Sequence, residues 1–126
     1  MSYSVEKLPD EPIVVTTLHA DYSNDQDGEA SMIETVALLD AQSEAVYYIF
    51  DVSRYSPSFD DVIAAVNWGG PGKSPTLRHP NVREPLIVTH SSMVKLAAQG
   101  LKSATWGHLI VQVFGTVEEA LAYARQ

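Results

Sequence analysis

Short β-branched runs alternating with helix-length stretches constrain this chain more than any other feature. Ile13-Val14-Val15-Thr16-Thr17-Leu18, Ala45 to Val52 (AVYYIFDV), Leu86-Ile87-Val88-Thr89 and Leu109 to Phe114 (LIVQVF) have the length and composition of strands. The stretches between and after them carry apolar residues at helical spacing. The first has Met32, Ile33, Val36, Ala37 and Leu39, and the second Phe59, Val62, Ile63 and Val66. The third has Val94, Ala97, Ala98 and Leu101, and the last Val117, Ala120, Leu121 and Ala124. Strands separated by such helices need crossover connections, so the pattern predicts a mostly parallel sheet with helices packed on it.

Each expected helix has its own start signal. Ser23 stands as N-cap with Gln26 in the capping-box position, and Thr116 stands likewise with Glu119. Ser58 opens the second helix, where Asp60 and Asp61 suit the positive end of the helix dipole. Ser91 or Ser92 caps the third, which Gly100 is placed to end early. Upstream, Tyr3 to Leu8 reads as a strand, and Pro9-Asp10-Glu11-Pro12 as the turn that joins it to Ile13–Leu18. This hairpin adds an antiparallel edge. The predicted fold is α/β, ββαβαβαβα, with a mixed five-stranded sheet and helices against it. Residues 69 to 84 are left as a long irregular stretch.

A length of 126 residues fits one domain spanning 1–126, and an apolar fraction of 45% is enough for a core. The absence of cysteine rules out disulfides, thiolate chemistry and Cys-based zinc sites. No apolar run reaches the roughly 20 residues of a membrane span, and Met1 to Asp10 is too polar and acidic for a signal peptide. The expected location is therefore cytoplasmic. The net charge of −8 opposes nucleic acid and anionic membranes and suits a basic partner.

The motifs that suggest chemistry have simpler readings. Asn67 to Ser74 (NWGGPGKS) ends like a phosphate-binding loop, but Asn67 stands where the first glycine belongs, a helix precedes it and Pro75 follows. His19, His79, His90 and His108 show no metal-ligand spacing, so no metal and no cofactor is expected. His90-Ser91-Ser92 reads as a strand end followed by a helix cap, without a nucleophile elbow. Asp51 closes a buried strand, where open α/β sheets bind ligands; its plainer role is to bond the backbone of the loop from Ser53 to Ser58. Lys73, Arg78, His79 and Arg83 make one loop basic in an acidic chain, a contrast that suits an anionic ligand or an acidic patch. Trp68 and Trp106 near loop boundaries are candidate interface anchors.

Three segments resemble the STAS/SpoIIAA-like superfamily, the fold of anti-sigma-factor antagonists, which also has lipid-binding and SEC14-like relatives. Ile49-Phe50-Asp51-Val52-Ser53 is similar to that family's strand ending in an Asp–aliphatic–Ser step. Leu77-Arg78-His79-Pro80-Asn81-Val82 before an apolar strand resembles a bacterial subset. Val113 to Leu121 (VFGTVEEAL) is similar to the closing strand and helix, and the resemblance covers nearly the whole chain. The family's antagonists carry a phosphorylatable Ser, usually followed by Ser-Gly, after that first strand. Here the matching stretch is Ser58-Phe59-Asp60-Asp61-Val62, without a Ser-Gly pair, and Ser58 is explained as a helix cap. The phospho-switch is therefore not carried over.

These readings lead to a non-catalytic interaction or regulatory module that binds a protein partner or itself. Its candidate binding residues are Asp51, Ser53, Ser58, Asp60, Asp61, Arg78, His79, Arg83 and His90. A small-ligand or lipid carrier with an apolar cavity is the alternative. An enzyme pairing His90 with Asp51 ranks behind both. The exposed backbone of Tyr3–Leu8 also needs protection, which a homodimer gives and which Lys7 and Pro9 give as well.

Overall fold

The protein is described by a computed structural model over residues 2–58, 60, 76–102 and 109–126, with backbone alone at 24 and 25. Among these residues five strands and three helices follow in order. They are β1 (Tyr3–Lys7), β2 (Ile13–Leu18), α1 (Asn24–Asp40), β3 (Val46–Asp51), β4 (Val82–Val88), α2 (Ser92–Gly100), β5 (Gln112–Phe114) and α3 (Val117–Ala124). The helix expected from Ser58 and the glycine-rich stretch through Ser74 lie outside the described residues, apart from Ser58 and Asp60, as do Trp68, Trp106 and His108. No helix among the described residues is long and apolar enough to cross a membrane.

The strands form one sheet in the order β1-β2-β3-β4-β5. β1 and β2 are antiparallel, and every later pair is parallel. The hairpin closes through a turn in which the Glu11 N–H donates to the Leu8 carbonyl at 3.4 Å, with Pro9 setting the first corner. Asp10 takes the left-handed conformation at φ 61°, which a short polar side chain tolerates better than most. Arg125, just past α3, grips Glu11 of this turn at 2.6 Å and 3.1 Å and lowers the Glu11 carboxyl from its ordinary value.

Strand alternation sends successive side chains to opposite faces, and each face has its own cover. On one, Ile13, Val15, Ile49, Leu86 and Val88 pack under Ala120 and Ala124 of α3. On the other, Val14, Val46 and Tyr48 meet Leu39 of α1, while Tyr3, Leu18 and Ile87 share a cluster with Ala98 and Leu101 at α2.

α1 departs from expectation in the face it buries. Ile33 is 56% exposed and Ala37 is exposed, whereas Ser31, Thr35 and Leu39 are buried. The inner stripe therefore runs through two hydroxyls. They are tolerated because each is bonded: Ser31 Oγ to the Gly28 carbonyl at 3.0 Å, and Thr35 Oγ1 to the Ser31 carbonyl at 2.8 Å. Thr35 also meets Thr16 of β2 at 2.9 Å, next to the buried Tyr48 of β3. At the helix start, Ser23 caps by backbone alone. The reciprocal bond comes from Asp27, which accepts from the Ser23 N–H at 3.0 Å, and not from Gln26.

Strand boundaries also differ. β1 ends at Lys7 and β3 begins at Val46, each a residue short of expectation. β4 begins at Val82, four residues before the predicted Leu86, through a bulge opposite Val46 and Tyr47 that takes up Arg83. Pro85 is admitted because β5 pairs only from Leu86 onward. Val52 donates to the Val88 carbonyl, so residue 88 faces β3 and alternation turns the position of the missing Pro85 N–H toward the unpaired side. β5 itself has three residues in place of six, and Ile110 before it is 58% exposed.

Candidate functional site at the C-terminal rim of the sheet

Parallel strands β2 to β5 all end on the same side. The register aligns Thr17, Asp51, Val88 and Phe114, so His19, Ser53, His90 and Thr116 follow two residues later as one row along the rim. With about 4.8 Å between neighbouring strands, the backbones of His19 and His90 are roughly 10 Å apart. Asp51 and Ser53 belong to this rim, and Ser58 and Asp60 follow them in the chain.

The side chains of the row hold backbone. Asp51 is buried, and its Oδ1 accepts from the Ser53 N–H at 3.0 Å and from the Ser53 hydroxyl at 2.6 Å. His90 Nε2 donates to the Gly115 carbonyl at 2.7 Å, tying the end of β4 to the turn after β5. Thr89 Oγ1 accepts from the Ser91 N–H at 3.0 Å, and Ser91 Oγ accepts from Val94 N–H at 3.3 Å, which makes Ser91 the cap of α2. Thr116 Oγ1 accepts from the Glu119 N–H at 3.1 Å and donates to the Glu119 carboxylate. Asp51 and His90 are thus each engaged with backbone beside them, and no hydrogen bond joins the two among the described residues.

Two tyrosines missing from the sequence reading complete the rim. Tyr22 N–H donates to the His19 carbonyl and Tyr55 N–H to the Val52 carbonyl, so β2 and β3 each end in a four-residue turn closing on a tyrosine. The rings meet edge to face, 5.2 Å between centroids and 81° between planes. The signal was present as a spacing: each tyrosine stands four residues after its strand's last residue, Leu18 or Asp51.

The basic segment is at the other end. Arg78, His79 and Arg83 precede or open β4, beside the C-terminus of α1. His79 is buried; its Nδ1 accepts from the Asn81 N–H at 3.0 Å, which leaves Nε2 to donate to Asp40 at 2.6 Å. Asn81 Nδ2 adds a bond to the Leu39 carbonyl at 2.9 Å, so this corner locks α1 to β4. The Arg83 guanidinium lies 5.4 Å from the centre of the Tyr47 ring. The predicted binding residues therefore fall into two groups: Asp51, Ser53 and His90 at the C-terminal end, with Ser58 and Asp60 following in the chain, and Arg78, His79 and Arg83 at the N-terminal end. Asp61 lies outside the described residues. No cluster of three or more metal-ligating side chains occurs among the described residues.

No protein-family model matches the chain, and no curated protein does. Among solved structures, it is similar to an uncharacterised protein of the DUF3478 family with a SpoIIAA-like fold, from Shewanella loihica PV-4. The match has a TM-score of 0.59 and 12% identity, and covers 97% of this chain and 91% of the other. The chain therefore has a SpoIIAA-like α/β fold, in agreement with the expectation from its three segments.

Proposed function

We propose that this SpoIIAA-like domain is a non-catalytic binding module that captures a protein partner on the C-terminal rim of its sheet. The contact runs from the turn at Ser53 through Ser58 to Asp60 and Asp61. The observation that carries this reading is the engagement of Asp51, Thr89, His90, Ser91 and Thr116 in holding rim backbone. Groups used this way make a rigid platform, and rigid presentation lowers the ordering cost of association. The acidic balance of the chain and the paired Asp60-Asp61 favour a partner with a basic face. The Arg78–Arg83 segment is less suited, because His79 is buried there and holds the fold together.

Affinity purification with tagged wild-type protein and three variants tests the reading. Asp60→Lys and Ser58→Asp alter the proposed contact, and Glu44→Lys makes a matched charge reversal at the opposite end of the sheet. A stoichiometric partner retained by wild type and Glu44→Lys is expected to drop at least about tenfold with Asp60→Lys, equivalent to about 1.4 kcal/mol. Capture that ignores Asp60→Lys, or that fails with Glu44→Lys, overturns the assignment of the surface.

A further inference from the structure

We propose that the free edge of β1 binds the β1 strand of a second copy of this chain, antiparallel about Val5, to give a symmetric dimer with five strands from each copy in one continuous sheet. Among the described residues, β1 has β2 on one side and no strand on the other. The direction of its backbone groups follows from two bonds. His19 N–H donates to the Ser2 carbonyl, and Leu8 N–H donates to the Ile13 carbonyl. In an antiparallel ladder inward and outward residues alternate, so Ser2, Ser4, Glu6 and Leu8 face β2, and Tyr3, Val5 and Lys7 present their N–H and C=O groups outward.

That outward set is symmetric about Val5. Pairing it with itself sets Val5 against the partner subunit's Val5 and Tyr3 against the partner subunit's Lys7, and each pair exchanges both main-chain bonds. A two-fold axis needs such a self-complementary patch. The charges agree with it. Lys7 projects on the same face as Tyr3 and Val5, the face covered by α1, and the Tyr3 hydroxyl donates to Glu34 of α1 at 3.0 Å. The proposed register therefore brings the Lys7 ammonium beside the partner subunit's Tyr3–Glu34 pair. On the opposite face Glu6 meets the partner subunit's Ser4, so no like charges oppose one another across the strands.

The inference is independent of the rim contact, which lies at the strand ends, so either stands if the other fails.

Analytical ultracentrifugation of the full chain is the test. Wild type is expected at twice the chain mass of 13.8 kDa. Lys7→Glu sets an acid against the partner subunit's Glu34 and is expected to halve the mass without changing the circular dichroism spectrum. Lys7→Glu combined with Glu34→Lys restores the opposite charges and is expected to restore the dimer. Val5→Pro removes an N–H that faces away from β2 and is also expected to be monomeric. Amide exchange at Tyr3, Val5 and Lys7 should be slow in wild type and fast in Lys7→Glu. A wild-type monomer at every soluble concentration, a dimer that survives both single variants, or a charge-swapped double variant that stays monomeric overturns the proposal.

Discussion

Between pH 10 and pH 12 the protein is expected to lose about 2 kcal/mol of folding stability through one phenol, that of Tyr48. Tyr48 is wholly buried between α1 and the sheet. Burial pushes its pKa from 10.0 up to about 12, against hydrogen bonds with Thr16 and Thr35 that pull it down. The unfolded chain keeps the ordinary value. Below pH 10 both states hold the proton and the stabilisation is complete. Above it the unfolded phenol ionises first, and stability declines until the folded phenol also ionises near pH 12. Urea unfolding below and above this window reads the loss. Tyr48→Phe is expected to cost about 1–2 kcal/mol at neutral pH, by removing a buried hydroxyl beside Thr16 and Thr35, and to remove most of the alkaline decline. Tyr3 and Tyr123 contribute in the same direction: partial burial and Glu34 raise Tyr3, and Glu84, which accepts from Tyr123 at 2.7 Å, raises Tyr123. An alkaline slope that is identical in Tyr48→Phe would contradict the burial of this hydroxyl.

Leu39→Ala is expected to destabilise by about 3 kcal/mol and lower the melting temperature by roughly 10 °C. Leu39 is completely buried against Val14, Val46 and Tyr48, and truncation leaves a cavity that three fixed strand residues do little to fill. The paired control is Ile33→Ala on the same helix. Ile33 is mostly exposed, and alanine favours helix, so a change within about 0.5 kcal/mol is expected. Together the two melts decide which face of α1 is inside. Equal losses, or a larger loss at Ile33, would restore the face that apolar periodicity alone suggests.

That helix shows where a pattern of apolar residues stops being a guide. Periodicity treats Ser31 and Thr35 as outside residues, yet local bonds to carbonyls one turn back let both hydroxyls enter the core. The order of the described elements was legible because strand runs and caps at Ser91 and Thr116 are local signals. The early start of β4 was not. Arg83, Glu84 and Pro85 look like loop until a bulge and an unpaired flank make room for them. The same limit applies to the candidate site. Asp51 with Ser53 is a short-range Asp–x–Ser turn and could be read directly. The rim as a whole is made by register between strands, so the alignment of His19, Ser53, His90 and Thr116 and the Tyr22–Tyr55 contact had no sequence-local mark beyond a shared spacing.

Asp51, His90 and Thr116 each hold backbone at one of three strand ends, and the proposed contact lies on the turns beyond them. The most direct measurement of this account is an amide chemical-shift map of the isotope-labelled chain titrated with the partner recovered by wild-type protein. The largest changes are expected on Ser53 to Ser58 and Asp60, with weaker ones at Tyr22 and His90. Changes centred on Arg78 to Arg83, at the other end of the sheet, would contradict it.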